Sequence, residues 1–100
     1  MTVEFARSAQ TDLLEAWLFI AEQNVIAADG LLDAIEREVH ILVAQPRMGR
    51  ARPELDANVR IWPTSTPYVL YYMLTPNGIV VFRVLHHAPD VQQFSFDSLQ

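Results

Sequence analysis

The sequence predicts an α+β fold: an N-terminal strand, then an antiparallel helical hairpin packed on one face of a small, mainly antiparallel β-sheet. Three observations predict it. Apolar residues recur at helical spacing through the first half, a Pro- and Arg-rich loop interrupts the chain, and strand-like apolar runs separated by turn residues fill the second half. At 100 residues, 51% of them hydrophobic, the chain makes one domain with a single core, spanning 1–100.

Val3-Glu4-Phe5 alternates, as a short first strand with Val3 and Phe5 facing inward would, and should end by Ser8. From Thr11 the positions Leu13, Leu14, Trp17, Leu18 and Ala21 form an apolar stripe, with Trp17 expected in the core. Asp12 and Glu15 fall near the positive end of that helix's dipole. Asn24 marks a stop. The second helix then places Ala28, Leu31, Leu32, Ile35, Val39 and Leu42 on one face, and the Asp33/Arg37 pair supports it from the other. Pro46 ends it, and the short break at Asn24 makes the two helices an antiparallel hairpin.

Residues 45–58 carry two prolines, Gly49 and three arginines, and read as a loop. Strands are expected over 59–62, 68–74 and 79–86, the last two joined by an Asn77-Gly78 turn. Strict alternation in the last strand sets Val80, Phe82, Val84 and His86 under the helices. Val81, Arg83, Leu85 and His87 then fall on an open face. Phe94 and Phe96 are expected to return as a further edge strand.

The charge of −5 argues against clamping bare nucleic acid, whose affinity comes from basic residues displacing counterions. All seven basic residues are arginine, however, and Arg47, Arg50, Arg52 and Arg60 cluster in one stretch, so a local positive face can form. With no cysteine there is neither a disulfide framework nor a thiolate zinc site. No signal-like or membrane-length apolar run is present, and the expectation is a soluble cytoplasmic protein with no membrane partner.

Arg83 is the residue that most needs a partner, since its charge cannot be discharged within an apolar strand. Two readings stand: an internal tie to Glu54, Asp56 or Asp90, or an anchor for a partner's carboxylate or a phosphate. His86 and His87 point to opposite faces and cannot chelate one ion, so no metal is expected. His87, beside Arg83, could act as a general acid or base, whereas His86 reads as a packed core histidine and His40 as solvated. Trp62 and Tyr71 could stack a base, although core or interface packing is commoner. No nucleotide-binding loop or nucleophile turn occurs, and no cofactor is expected.

Taken in order, these residues resemble ParE-type toxins of the RelE/ParE toxin–antitoxin superfamily. The resemblance rests on Ala9, Asp12-Leu13, Ile20-Ala21, Ala28, Pro46, Gly49-Arg50, Arg52-Pro53-Glu54-Leu55, Arg60, Tyr68-Val69-Leu70-Tyr71-Tyr72 and Arg83-Val84-Leu85-His86. It departs from the family at His87 and Pro89, where a glycine and a second arginine are usual.

The resemblance implies a DNA gyrase inhibitor with a role in plasmid stabilisation, neutralised by a cognate ParD-like antitoxin in a hetero-oligomer. It implies no catalytic residues of its own, and Arg50, Arg60, Tyr71, Arg83 and His87 as partner-binding positions. The alternatives are a ribosome-dependent mRNA endonuclease of the RelE-like branch, with Glu54, Arg60, Arg83 and His87 in catalytic roles, or a non-toxic antitoxin-binding homologue. The nuclease reading lacks the tyrosine that such enzymes often carry after the arginine.

Overall fold

The computed structural model describes residues 2–87. Its elements are β1 (Thr2–Phe5), α1 (Arg7–Ala21), α2 (Val25–Ala44), β2 (Arg50–Ala51), β3 (Val59–Pro63), β4 (Tyr68–Thr75) and β5 (Gly78–His86). They build one five-stranded sheet in the order β1-β5-β4-β3-β2. β1 runs parallel to β5, and every other pairing is antiparallel. The helical hairpin covers one face, so the α+β architecture expected from the sequence is the one observed. Phe94 and Phe96, and the edge strand expected of them, lie outside the described residues.

The core lies between hairpin and sheet. Ile35, Val39 and Leu42 of α2 meet Leu70 and Tyr72 of β4 and Ile79, Val81 and Val84 of β5. α2 buries nearly the stripe read from the sequence, with Ala34 in the place of Leu32, and the Asn24 side chain caps it by accepting from the Ala27 amide at 3.0 Å.

α1 differs from expectation. It begins at Arg7 rather than Thr11, and its inner stripe is Ala9, Leu13, Ala16 and Ile20, while Leu14 and Leu18 face outward. Ala9 and Ala16, with methyl side chains only, let the helix axis approach the sheet closely. Trp17 is half-buried rather than in the core. Its Nε1 donates to Asp29 Oδ1 at 2.9 Å, which ties the two helices while satisfying a donor that full burial would have stranded.

A β-bulge reorders the faces of β5. Tyr71 pairs with Arg83 but Tyr72 pairs with Val81, so Phe82 is the inserted residue. The alternation read from the sequence holds after the bulge, with Val84 under the helices and Leu85 on the far side. It fails before it, since Ile79 and Val81 face the helices and Phe82 packs on the far face with Tyr71. That far face is not simply open: Ile61, Val69, Tyr71, Phe82 and Leu85 form a second apolar cluster there. His86 is exposed rather than packed in the core, its ring edge-on to Tyr68 at 5.2 Å.

The β4–β5 turn sits where expected but is centred one residue earlier. Thr75 pairs with Gly78, leaving Pro76-Asn77 at the centre, and among the described residues none but glycine has a positive φ. Gly78 closes the turn because the Thr2 carbonyl occupies the space that a Cβ would need. The loop after α2 contains an unexpected strand, β2, pairing Arg50 with Ile61 and Ala51 with Arg60. Gly49 is required at its entry, since the Tyr72 hydroxyl fills the place of a Cβ there. That hydroxyl donates to the Pro46 carbonyl at 2.7 Å and accepts from the Gly49 amide at 2.9 Å, fastening the loop to the core.

Candidate functional site

β1 accompanies β5 only as far as Phe5, opposite Val81. Beyond that point the chain turns into α1, and the backbone of β5 loses its ladder partner. α1 supplies replacements. The Ala6 amide donates to the Val81 carbonyl at 2.9 Å, Ser8 Oγ to the Phe82 carbonyl at 2.7 Å, and the Val84 amide to Asp12 Oδ2 at 2.9 Å. Asp12 thereby acts as a surrogate strand at the sheet edge.

The same carboxylate takes the Arg83 guanidinium in a two-pronged bond, Nε to Oδ2 at 2.7 Å and Nη2 to Oδ1 at 3.1 Å. Arg83 starts opposite Tyr71, on the far face, and turns over the bare edge to reach α1. Its side chain is 18% exposed and that of Asp12 only 9%. The Asp12 bond holds the guanidinium above its already high ordinary value, against the opposing effect of burial.

The internal tie considered for Arg83 thus exists, but not to Glu54 or Asp56. Glu54 is engaged by Arg52, whose hydrogen bond holds its carboxyl below the usual range. Asp56 Oδ1 accepts from the Asn58 amide at 3.1 Å, and Asp90 lies outside the described residues. Asp12, read as a dipole partner, stands in the second turn of a helix that starts at Arg7 and serves the sheet edge instead. A signal for it was present: an acid flanked at i−3 and i+4 by Ala9 and Ala16 sits beside the buried stripe.

The remaining candidates do not converge. Arg60 Nη1 donates to the carbonyls of Arg47 (3.0 Å) and Gly49 (2.7 Å), clamping the loop onto β3. Arg50 is exposed on the edge strand β2. Tyr71 is 2% exposed within the second cluster. His87 is exposed at the strand exit, where its amide donates to the Pro67 carbonyl at 2.6 Å. Glu54, Arg60, Arg83 and His87, the set that RNA cleavage would need, are each placed by different partners. Among the described residues no group of three His, Cys, Asp or Glu side chains could hold a metal ion, and no helix is long and apolar enough to cross a membrane.

Between α1 and the end of β5 lies a cleft of about 230 Å³, with the Asp12/Arg83 pair in its wall and Glu15, Tyr68 and His86 around it. Sequence reasoning singled out Arg83 here but missed Tyr68. Away from the cleft, the outer surface of the hairpin exposes Leu14, Leu18, Phe19, Val25, Ile26 and Ile41, with Ile26 83% exposed.

Comparison with known proteins agrees with this architecture. The chain is 32% identical over 80 residues to Toxin ParE3 of Caulobacter vibrioides, covering 79% of each protein. Its fold matches a solved chain of the "Chromosomal ParDE TA system from P. aeruginosa" with a TM-score of 0.72. That match has 19% identity and covers 88% of this chain and 97% of the other. The sequence profile of the family described as "ParE toxin of type II toxin-antitoxin system, parDE" matches residues 3–91. The chain therefore belongs to the ParE toxin family of type II toxin–antitoxin systems.

Proposed function

We propose that this ParE-family toxin inhibits DNA gyrase in the cytoplasm and is neutralised by a cognate ParD-like antitoxin in a hetero-oligomer. The observation that carries the reading is the family match across residues 3–91, which includes the strand bearing Arg83. The fold neighbour comes from a ParDE system, which supports an antitoxin partner.

The site geometry weighs against RNA cleavage. Such a reaction needs a base for the 2′-hydroxyl, cations around the phosphate and an acid for the leaving oxygen, all within reach of one point. Here Arg83 is committed to Asp12 and Arg60 to two backbone carbonyls. An acidic chain is suited to a protein target rather than to bare nucleic acid.

Purified toxin is added to gyrase with supercoiled plasmid and, separately, to translating ribosomes with a reporter message. Loss of supercoiling activity with the message intact is expected. Cleavage of the message with gyrase unaffected would replace this reading with the nuclease one, and silence in both assays would leave only an antitoxin-binding role.

A further inference from the structure

We infer that the cleft between α1 and the end of β5 receives an arginine side chain of the antitoxin. The inference rests on the antitoxin reading above and adds to it a site and a chemistry. Three features of the cleft carry it.

The first is charge. Two carboxylates, Asp12 and Glu15, face one guanidinium, Arg83, so the lining is net negative with histidine counted as uncharged. Asp12 is already bonded through both oxygens, whereas Glu15 is exposed and makes no ion pair or hydrogen bond among the described residues. Glu15 also feels the Arg83 guanidinium, but because Asp12 is paired to that group the lining keeps one negative charge in excess, which favours a cation.

The second is Tyr68. It is 9% exposed and lines the cleft, yet its hydroxyl makes no hydrogen bond among the described residues. The hydroxyl keeps contact with the solvent of the cleft, where an incoming N–H can displace water from it. A planar guanidinium forks onto the Glu15 carboxylate while also reaching the hydroxyl, a geometry that a lysine ammonium matches less well. An acidic side chain fits poorly, since Arg83 is sequestered by Asp12.

The third is continuity with an apolar ledge. Phe19 stands four residues after Glu15 and seven after Asp12, on the same side of α1, and is 71% exposed. A segment that inserts an arginine beside Glu15 can therefore lay an apolar neighbour on Phe19. The occupant is an amphipathic segment with a basic anchor.

The toxin is titrated with N-acetyl-arginine amide and followed by amide NMR. Saturating shifts at Ala16, Val84, Leu85 and His86 are expected, and they should vanish in Glu15→Gln. Absence of shifts, shifts that persist in Glu15→Gln, or the same shifts with N-acetyl-glutamate amide instead would overturn the inference. In a second arm, the antitoxin encoded beside the toxin gene is bound to wild type and to Glu15→Gln, with about ten-fold weaker binding expected for the variant, as for loss of one charged contact. Unchanged affinity would also overturn the inference. Failure of wild-type toxin to bind that protein would instead overturn the antitoxin reading, with the small-ligand titration still deciding the chemistry of the cleft.

Discussion

Asp12 and Arg83, 71 residues apart in sequence, form a two-pronged ion pair whose carboxylate also receives the Val84 amide, so one side chain closes both a charge and a sheet edge. The pair is largely buried, and breaking it removes the two-pronged bond that offsets the burial of both charges. Asp12→Ala and Arg83→Ala should each destabilise the fold by about 3 kcal/mol, within the range for breaking a buried pair. The double variant should lose clearly less than the sum, by a coupling of about 1–3 kcal/mol. Urea denaturation of all four proteins checks this. Losses below about 0.5 kcal/mol would show that Arg83 is available to a partner instead of serving as a tie.

Gly49 and Tyr72 are matched by close approach. An alanine at 49 would drive its Cβ into the tyrosine hydroxyl and place it 2.7 Å from the ring and 2.8 Å from the Ile61 carbonyl. Gly49→Ala should cost about 1–3 kcal/mol as overpacking, and Tyr72→Phe about 1–2 kcal/mol for two lost hydrogen bonds. In the double variant the hydroxyl clash is gone but the ring and carbonyl contacts remain. Thermal melts should therefore show a loss smaller than the sum yet larger than that of Tyr72→Phe alone.

Glu38 couples α2 to the β3–β4 connection. Its Oε1 accepts from Trp62 Nε1 at 2.9 Å, and its Oε2 from Ser65 N and Oγ at 2.8 and 2.7 Å. Burial pushes this carboxyl up, but the bonds from Ser65 and Trp62 outweigh burial and hold it below its ordinary value of 4.5. A depressed folded-state value means the stabilisation is complete above about 4.5 and is lost as pH falls through the folded value. Wild type should thus lose stability on acidification relative to Glu38→Gln, whose profile should be flatter. Parallel denaturation curves at neutral and acidic pH test it, and identical slopes would refute the role of Glu38.

Two arginines of the loop region should separate cleanly. Arg60 clamps two carbonyls whereas Arg50 projects from an edge strand. Arg60→Glu should lower the melting temperature, with a cost of about 1–3 kcal/mol for the lost charged hydrogen bonds. Arg50→Glu should leave stability within about 0.5 kcal/mol. Only the second is then a clean probe of antitoxin capture, read as a weakened complex on a titration.

Leu18 and Ile26 are apolar but exposed on the hairpin. Ile26→Ser should stay within about 0.5 kcal/mol of wild type in denaturation, because Ile26 is 83% exposed, whereas Leu18→Ser, at a half-exposed position inside α1, should cost about 1 kcal/mol. A larger loss for either would mean that this surface is packed in the isolated chain.

Elements carried by local chemistry were legible from the residues alone. The α2 stripe from Ala28 to Leu42, the Asn24 break, the Pro46 stop and the turn before β5 follow from periodicity, capping and backbone restriction, all properties of neighbouring residues. So did the α+β order of elements and the importance of Arg83. The ordered motifs also carried the family resemblance that the comparisons then bore out.

What tertiary structure decided were the matters that depend on contacts across the sheet. α1 contains more apolar residues than one face can bury, so only packing selects Ala9 and Ala16 over Leu14 and Leu18. The bulge at Phe82 leaves no local mark, yet it shifts the alternation by one and reverses the faces of the residues before it. The partner of Arg83 is chosen because β1 ends at Phe5, exposing an edge that α1 must satisfy. The sequence by itself determined which residues needed partners and which local elements would form. The long-range geometry of a sheet, where a strand's end or one extra residue redirects every neighbour, determined which partners they found.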